Sequence, residues 1–218
     1  MRLLLIRHGQ TPSNVLGALD TAHPGAPLTE LGLAQAAAIP RALRDEQVDA
    51  VFASTLLRTQ LTAEPLARHV GVETKVRDGL HEIEAGSLEM RTDRQSQHTY
   101  MGTVLSWGAG DLSARFPGGP SGSEFFDRYD AAIERIADEH DGTVAVFSHG
   151  AAIRVWVAGR ARNISARFAA ENHLENTGVV VLNGDPGLGW IAESWTGVPL
   201  GGPLLEDVAA DDPTGEAV

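Results

Sequence analysis

The sequence predicts an α/β protein, a three-layer α/β/α sandwich around a mostly parallel central sheet. Two observations carry that prediction. Short runs of bulky apolar residues, as in strands buried on both faces, alternate with segments of helical spacing. Two of these runs end in the same pair, Ile6-Arg7-His8-Gly9 and Phe147-Ser148-His149-Gly150. In a parallel sheet such strand ends lie side by side, and ligands bind just past them.

The elements follow in order. Residues 3–7 read as the first strand, and residues 10–28, rich in Pro, Gly, Asn and Thr, as a loop. Thr29 caps a helix running to about Asp45, with Leu31, Ala34, Ala38 and Leu43 along it; Pro40 is expected to kink or break it. Residues 49–53 form a second strand. Ser54 opens a helix reaching about His69 before Gly71, with Pro65 inside it, and residues 72–76 form a third strand. Residues 80–120 have no clean period and carry Gly86, Gly102, Gly108, Gly110, Gly118 and Gly119. They read as an excursion over the sheet with a short helix near 92–106. Ser121-Gly122-Ser123-Glu124 matches a capping box, and the helix behind it carries Phe126, Tyr129, Ile133, Ile136 and Ala137 at helical spacing. Residues 143–147 form another buried strand, residues 151–158 a short apolar helix, and 177–182 and 190–195 two late strands consistent with a hairpin. One domain is expected over residues 1–200, with a lid at about 83–122. Residues 201–218, rich in Gly, Pro, Asp and Ala, are expected as a loose tail.

Composition narrows the function. Hydrophobic content of 43% and charged content of 21% over 218 residues suit a soluble chain with a full core. A net charge of −12 and a pI of about 5.0 argue against nucleic acid or an anionic membrane as partner. An anionic substrate then needs a local cluster of cations. All but Lys75 of the 17 basic residues are arginines; codon usage explains most of them, but arginine also suits bidentate phosphate binding. The absence of cysteine excludes disulfides, Cys-ligated zinc and thiol catalysis. Residues 3–6 are too short for a signal-peptide core or a membrane span, so the expected compartment is the cytoplasm.

Two strand-end histidines in one context stand out, because a lone histidine there is more often structural. Arg58 lies about one turn into the helix opened by Ser54, and Glu82 follows the third strand. Alone, Arg58 reads equally well as a solvated helix arginine and Glu82 reads more readily as a surface carboxylate, and spacing does not separate Glu82 from Glu84. Together these types fit phosphoryl transfer, which needs cations on the non-bridging oxygens, an in-line nucleophile and a proton for the leaving oxygen. A neutral imidazole can attack phosphorus and form a phosphohistidine. Arg7 and Arg58 suit the phosphoryl oxygens, and a protonated His149 the charge of the transition state. Asn14 and backbone N–H groups near Gly9 and Gly150 add neutral donors. A carboxylic acid kept neutral by burial protonates the leaving alcohol and then activates water.

Arg7-His8-Gly9-Gln10-Thr11, followed by Asn14, resembles the RHG signature of the histidine phosphatase superfamily, the phosphoglycerate mutase-like family. The resemblance continues through Leu28-Thr29-Glu30-Leu31-Gly32 with Gln35-Ala36 and through Ser54, Arg58 and Thr62-Ala63. It extends over Leu80-His81-Glu82 with Gly86, loosely Gly119 to Arg128, then Ser148-His149-Gly150 with Arg154, and Asn176-Thr177. It covers roughly residues 1–183 and implies a phosphoglycerate mutase-like fold of the phosphatase branch. It further implies His8 as phosphorylated nucleophile, Glu82 as proton donor, and Arg7, Arg58 and His149 around the phosphoryl group. Asn14, Gly9, Gln10, Thr11 and Gly150 are the expected substrate-binding positions, with no metal and no organic cofactor. Gly86 is followed by Ser87-Leu88-Glu89-Met90-Arg91 and the Gly-Glu-Ser stretch is altered around Gly119 to Ser123. These departures leave the substrate open.

The expected activity is therefore a metal-independent phosphomonoesterase acting on a small phosphorylated metabolite through phosphohistidine. A mutase is the alternative within the family; between Glu82 and Ser121 only Arg91, Arg94 and Arg115 are available as a second anion clamp. Two further classes are a metallohydrolase using His8, His149, His81 and a carboxylate, and a non-catalytic phospho-ligand binding module. No H-x-H or H-E-x-x-H spacing supports the metal reading. A homodimer is the one assembly entertained.

Overall fold

The computed structural model describes residues 1–210 and 212–216. Six strands form one sheet in the order β3-β2-β4-β1-β5-β6. They are β1 (Arg2–Arg7), β2 (Ala50–Ala53), β3 (Thr74–Val76), β4 (Thr143–Ser148), β5 (Val179–Asp185) and β6 (Gly189–Thr196). The β3, β2, β4 and β1 strands run parallel, and β5 and β6 join antiparallel as a hairpin beside β1.

Alternation along the strands builds the layers. Leu3 and Leu5 of β1, Phe52 of β2 and Val144 and Val146 of β4 face one core; Leu4, Ile6, Val51, Ala145 and Phe147 face the other. The first core is covered by α4 (Arg94–Gly108), α5 (Gly122–Glu139) and α6 (Gly150–Arg160), the second by α2 (Glu30–Ala42) and α3 (Leu57–Val70). Helix α5 is opened by the predicted capping box, with Ser121 and Glu124 closing on each other's backbone. No helix among the described residues is long and apolar enough to cross a membrane.

Several boundaries differ from expectation for local reasons. Pro40 stays inside α2, which ends two residues later at Ala42. Ser54 does not open α3. Its hydroxyl contacts Thr59 and His149, and the helix begins at Leu57 with no side-chain cap. Pro65 is carried inside α3, which runs to Gly71 in the left-handed region at φ 77. The short helix α1 (Pro12–Val15) lies in the stretch read as loop, and a second short helix, α7 (Ala166–Glu171), lies where no element is assigned from the sequence. Residues 83–122 hold a 3-10 turn at Gly86–Leu88 and α4, whose Tyr100, Val104 and Trp107 are buried in the core with Phe116. The described part of the tail is tied down at several points, with Leu204 and Val208 left exposed: Gln35 donates to the Leu205 carbonyl, Gln10 to Asp207, and Asp212 is buried.

Candidate active site

The carboxyl ends of β1 and β4 form the floor of the site. Arg7 pairs with Ser148 across the two strands. The next residues, His8 and His149, therefore stand together with ring centroids 5.2 Å apart. His8 Nδ1 lies 2.8 Å from the Gly9 carbonyl oxygen. A carbonyl only accepts, so Nδ1 carries the ring hydrogen and Nε2 keeps its lone pair. Burial, then the neighbouring cations Arg58 and Arg7, push this imidazole well below its ordinary pKa and keep it neutral. His149 is lowered for the same first reason, burial, reinforced by Arg58. Ser54 Oγ holds its Nε2 at 2.7 Å.

Two arginines complete the cluster. Arg58, in the first turn of α3, donates through Nη2 to the Asp20 carbonyl at 2.9 Å, and the Asp20 carboxylate lies 3.9 Å from Nη1. Arg7 donates through Nη1 to the Leu174 carbonyl at 2.8 Å and through Nη2 to Thr214 Oγ1 at 3.0 Å and the Asp212 carboxylate. Among the described residues, four buried donors here have no hydrogen-bond partner: Arg7 Nε, Arg58 Nε, Arg58 Nη1 and His149 Nδ1. An orphaned buried polar atom costs about 1–3 kcal/mol. Four of them around His8 make a cradle suited to an oxyanion.

Glu82 faces this cradle from the loop after β3. Its carboxylate accepts from the Ile83 and Ala152 N–H groups at 2.9 Å each and from Ala151 at 3.2 Å, at the N-terminus of α6. Burial raises its pKa, and these bonds and Arg58 offset the rise only in part. Glu84 has the opposite fate. Burial acts to raise it too, but His81 at 3.0 Å and Arg128 at 3.6 Å hold it down at about 2.

A small cavity opens here, lined by His8, Thr11, Asn14, Arg58, Glu82, Ser13, Asp20, Thr21 and Thr214, among others. The structure thus brings His8, Glu82, Arg58, Asn14 and Thr11 to one cavity, with Arg7 and His149 behind it. Asn14 Oδ1 is held by the Thr11 N–H at 2.8 Å, leaving its NH₂ end to donate. Gly9 and Gln10 are placed otherwise. The Gly9 N–H donates to Thr62 Oγ1 at 2.9 Å, and a Cβ there would come 2.7 Å from the Gly32 carbonyl. The Gln10 N–H donates to Gln35 and its side chain to Asp207. Gly150 opens α6, where a Cβ would lie 3.0 Å from Arg7 Nε. His81 turns away to Glu84 and Asp78, so it does not join His8 and His149. Among the described residues no group of three or more His, Cys, Asp or Glu side chains is placed to hold a metal ion.

Sequence reasoning missed Ser54 as the partner of His149, and Asp20, Asp212 and Thr214 as neighbours of the arginines. Only Ser54 had a local signal, its fixed position four residues before Arg58. The others meet the site through tertiary packing. Glu89, in the altered stretch after Gly86, accepts from the Thr21 and Ala22 N–H groups at 2.9 and 3.0 Å, fixing the loop that carries Asp20.

Residues 3–196 match the family profile of the histidine phosphatase superfamily, branch 1. The chain is 34% identical to a PE-PGRS family protein of Mycobacterium tuberculosis over 90% of its own length, and spans 36% of that longer protein. It is 30% identical to the adenosylcobalamin/alpha-ribazole phosphatase of Salmonella typhimurium, over 72% of this chain and 78% of that one. Its fold is similar to that of a mycobacterial glucosyl-3-phosphoglycerate phosphatase solved with VO3. The TM-score is 0.75 at 27% identity, over 90% of this chain and 99% of that one.

Proposed function

The chain belongs to the histidine phosphatase superfamily, and from that premise we propose that it is a phosphomonoesterase working through a phosphohistidine at His8. The observation that carries the reading is a neutral His8 set among four donors without a hydrogen-bond partner, with a buried Glu82 of raised pKa facing it. Arg7, Arg58, the His149 Nδ1–H and Asn14 hold the phosphoryl oxygens, with Ser54 donating to His149 Nε2. His8 Nε2 attacks phosphorus in line, and the P–O ester bond breaks. The leaving oxygen takes its proton from Glu82. Water then attacks the phosphohistidine, Glu82 takes its proton, and inorganic phosphate leaves. No step needs a metal or an organic cofactor.

Hydrolysis is favoured over transfer to a second substrate. A mutase must hold a second anionic group, yet Arg91 is paired with Asp93 and Arg115 with Glu124 on the surface, and neither they nor Arg94 line the cavity. The substrate class is a small phosphorylated metabolite, as for the phosphatases it resembles. The acidic balance supports a reading without nucleic-acid partners. The cytoplasm and a homodimer complete it, the latter checked by sedimentation.

The test is direct. Wild-type protein should hydrolyse nitrophenyl phosphate and carry an acid-labile phosphate on His8 in a rapid quench. His8→Ala should lower kcat by at least about 10⁴-fold. Full activity in that variant would remove the nucleophile assignment. Phosphate transfer to added phosphoglycerate outpacing hydrolysis would favour the mutase.

A further inference from the structure

Arg7 is fully buried, and a guanidinium in that position needs a partner for its charge. The partner is Asp212, 205 residues away, in the C-terminal segment whose composition reads as a loose tail. The Asp212 carboxylate makes three contacts, one of them from the Thr214 N–H at 3.3 Å. One oxygen binds Arg7 Nη2, and the other accepts from Thr214 Oγ1 at 3.1 Å. That hydroxyl in turn accepts from the same Nη2 at 3.0 Å, closing a three-residue ring. Arg7 Nη1 goes to the Leu174 carbonyl, and Leu174 N–H donates to the Gly215 carbonyl at 2.8 Å. Arg154 anchors the same segment through the Thr214 and Glu216 carbonyls at 3.1 and 2.7 Å.

These bonds engage both terminal nitrogens of Arg7 and leave Nε, beside Gly150, as the end without a partner. A planar guanidinium pinned at two corners cannot rotate, so the orientation of its third donor is set. We propose that Asp212 is the positioning residue for Arg7, and that residues 212–216 are an integral part of the active site rather than a tail. Thr214 adds to this role by lining the cavity beside His8 and Glu82. Asp212 lies on the terminal-nitrogen side of the guanidinium, so it holds the arginine without taking the place of the phosphoryl group. The inference rests on the reading of Arg7 as a phosphoryl clamp.

The experiment uses full-length Asp212→Asn, Arg7→Ala and the double variant, with nitrophenyl phosphate as substrate and inorganic phosphate as competitive inhibitor. Asp212→Asn should lower kcat/KM about 10- to 100-fold and weaken phosphate inhibition about tenfold, the scale of loss when a catalytic group shifts by about an ångström. Asp212→Glu should recover part of this. In the Arg7→Ala background the same change should cost less than about twofold, because the group it orients is gone. Multiplicative losses in the double variant would mean that Asp212 acts on the fold alone, and would overturn the proposal. A rise in activity in Asp212→Asn would overturn it too, showing a carboxylate that competes with substrate. If Asp212→Asn does not fold, Thr214→Val removes the other Nη2 acceptor and should weaken phosphate inhibition several-fold; no change would count against the proposal. A wild-type chain that neither hydrolyses the substrate nor forms phosphohistidine would instead defeat the phosphatase reading.

Discussion

Glu82 and Glu84 stand two residues apart in one loop, and the fold gives them opposite chemistry. Glu82 is buried among backbone donors and keeps its proton above the usual carboxylate range. Glu84 is exposed to His81 and Arg128 and is ionised down to about pH 2. The first is thus the proposed proton donor to the leaving alcohol. Glu82→Gln should therefore slow an alkyl phosphate by about 10²–10⁴-fold and nitrophenyl phosphate far less, since nitrophenolate leaves without a proton. Glu84→Gln should affect both by less than about threefold. Steady-state rates on the two substrates decide it, and equal losses in Glu82→Gln would remove the acid assignment. The distinction was not legible in the sequence, because both side chains follow the same strand and only burial separates them. The depressed histidines make a second prediction. Below pH 6.5 the unfolded chain protonates residues 8 and 149, while the folded chain resists because their pKa values are lowered. The unfolded state then binds more protons, so stability falls as pH drops, by up to about 1.4 kcal/mol per pH unit for each histidine. Urea unfolding at several pH values between 5 and 6.5 should show His8→Asn flattening this slope by about one proton's worth. An unchanged slope would mean that His8 titrates normally in the folded protein.

The elements that place these side chains differ in how well the sequence announces them. Strands β1 and β4 were legible because each has four apolar residues in a row, the pattern of a strand buried on both faces. Their parallel pairing, Arg7 opposite Ser148, is what turns two separate His-Gly pairs into one site. The start of α3 was misread, since Ser54 looks like a cap but its hydroxyl binds His149. Helix α4, expected as a short helix near 92–106, has Tyr100, Val104 and Trp107 at helical spacing, but its first turns face the core with the polar Ser96 and Gln97, which blurs the apolar period. Arg128 of α5 shows how an element can serve the chemistry at a distance. Its guanidinium donates to the carbonyls of Gly79, His81 and Glu82 at 2.8, 2.9 and 2.8 Å and lies over the Phe125 ring. It thereby ties the Glu82 loop to the helix. Lysine has one nitrogen and cannot span three carbonyls. Arg128→Lys should cost about 2–3 kcal/mol in urea unfolding. It should also slow alkyl phosphates more than nitrophenyl phosphate, since the displaced group is the proposed acid. Equal slowing of both would mean that the loop position does not depend on this clamp.

At the scale of the molecule, charge sets the terms on which a substrate arrives. The chain carries a net charge of −12. Both arginines at the site have acidic neighbours, Arg7 with Asp212 and Arg58 with Asp20. From outside, the field therefore opposes a phosphate dianion, and attraction begins only inside the cavity where donors are desolvated. Salt separates the two regimes. Raising ionic strength from about 0.01 to 0.15 M shortens the screening length from about 30 to about 8 Å, while contacts between buried groups are screened much less. The value of kcat/KM should accordingly rise a few-fold over this range. It should rise more for a substrate with a second anionic group, such as a phosphoglycerate, than for nitrophenyl phosphate. A site built for mutase chemistry would present a positive field at its mouth, and kcat/KM for the phosphoglycerate would then fall steeply with salt. Measured salt dependences for the two substrates thus test the balance of charge around the cavity and, through it, the preference for hydrolysis over transfer.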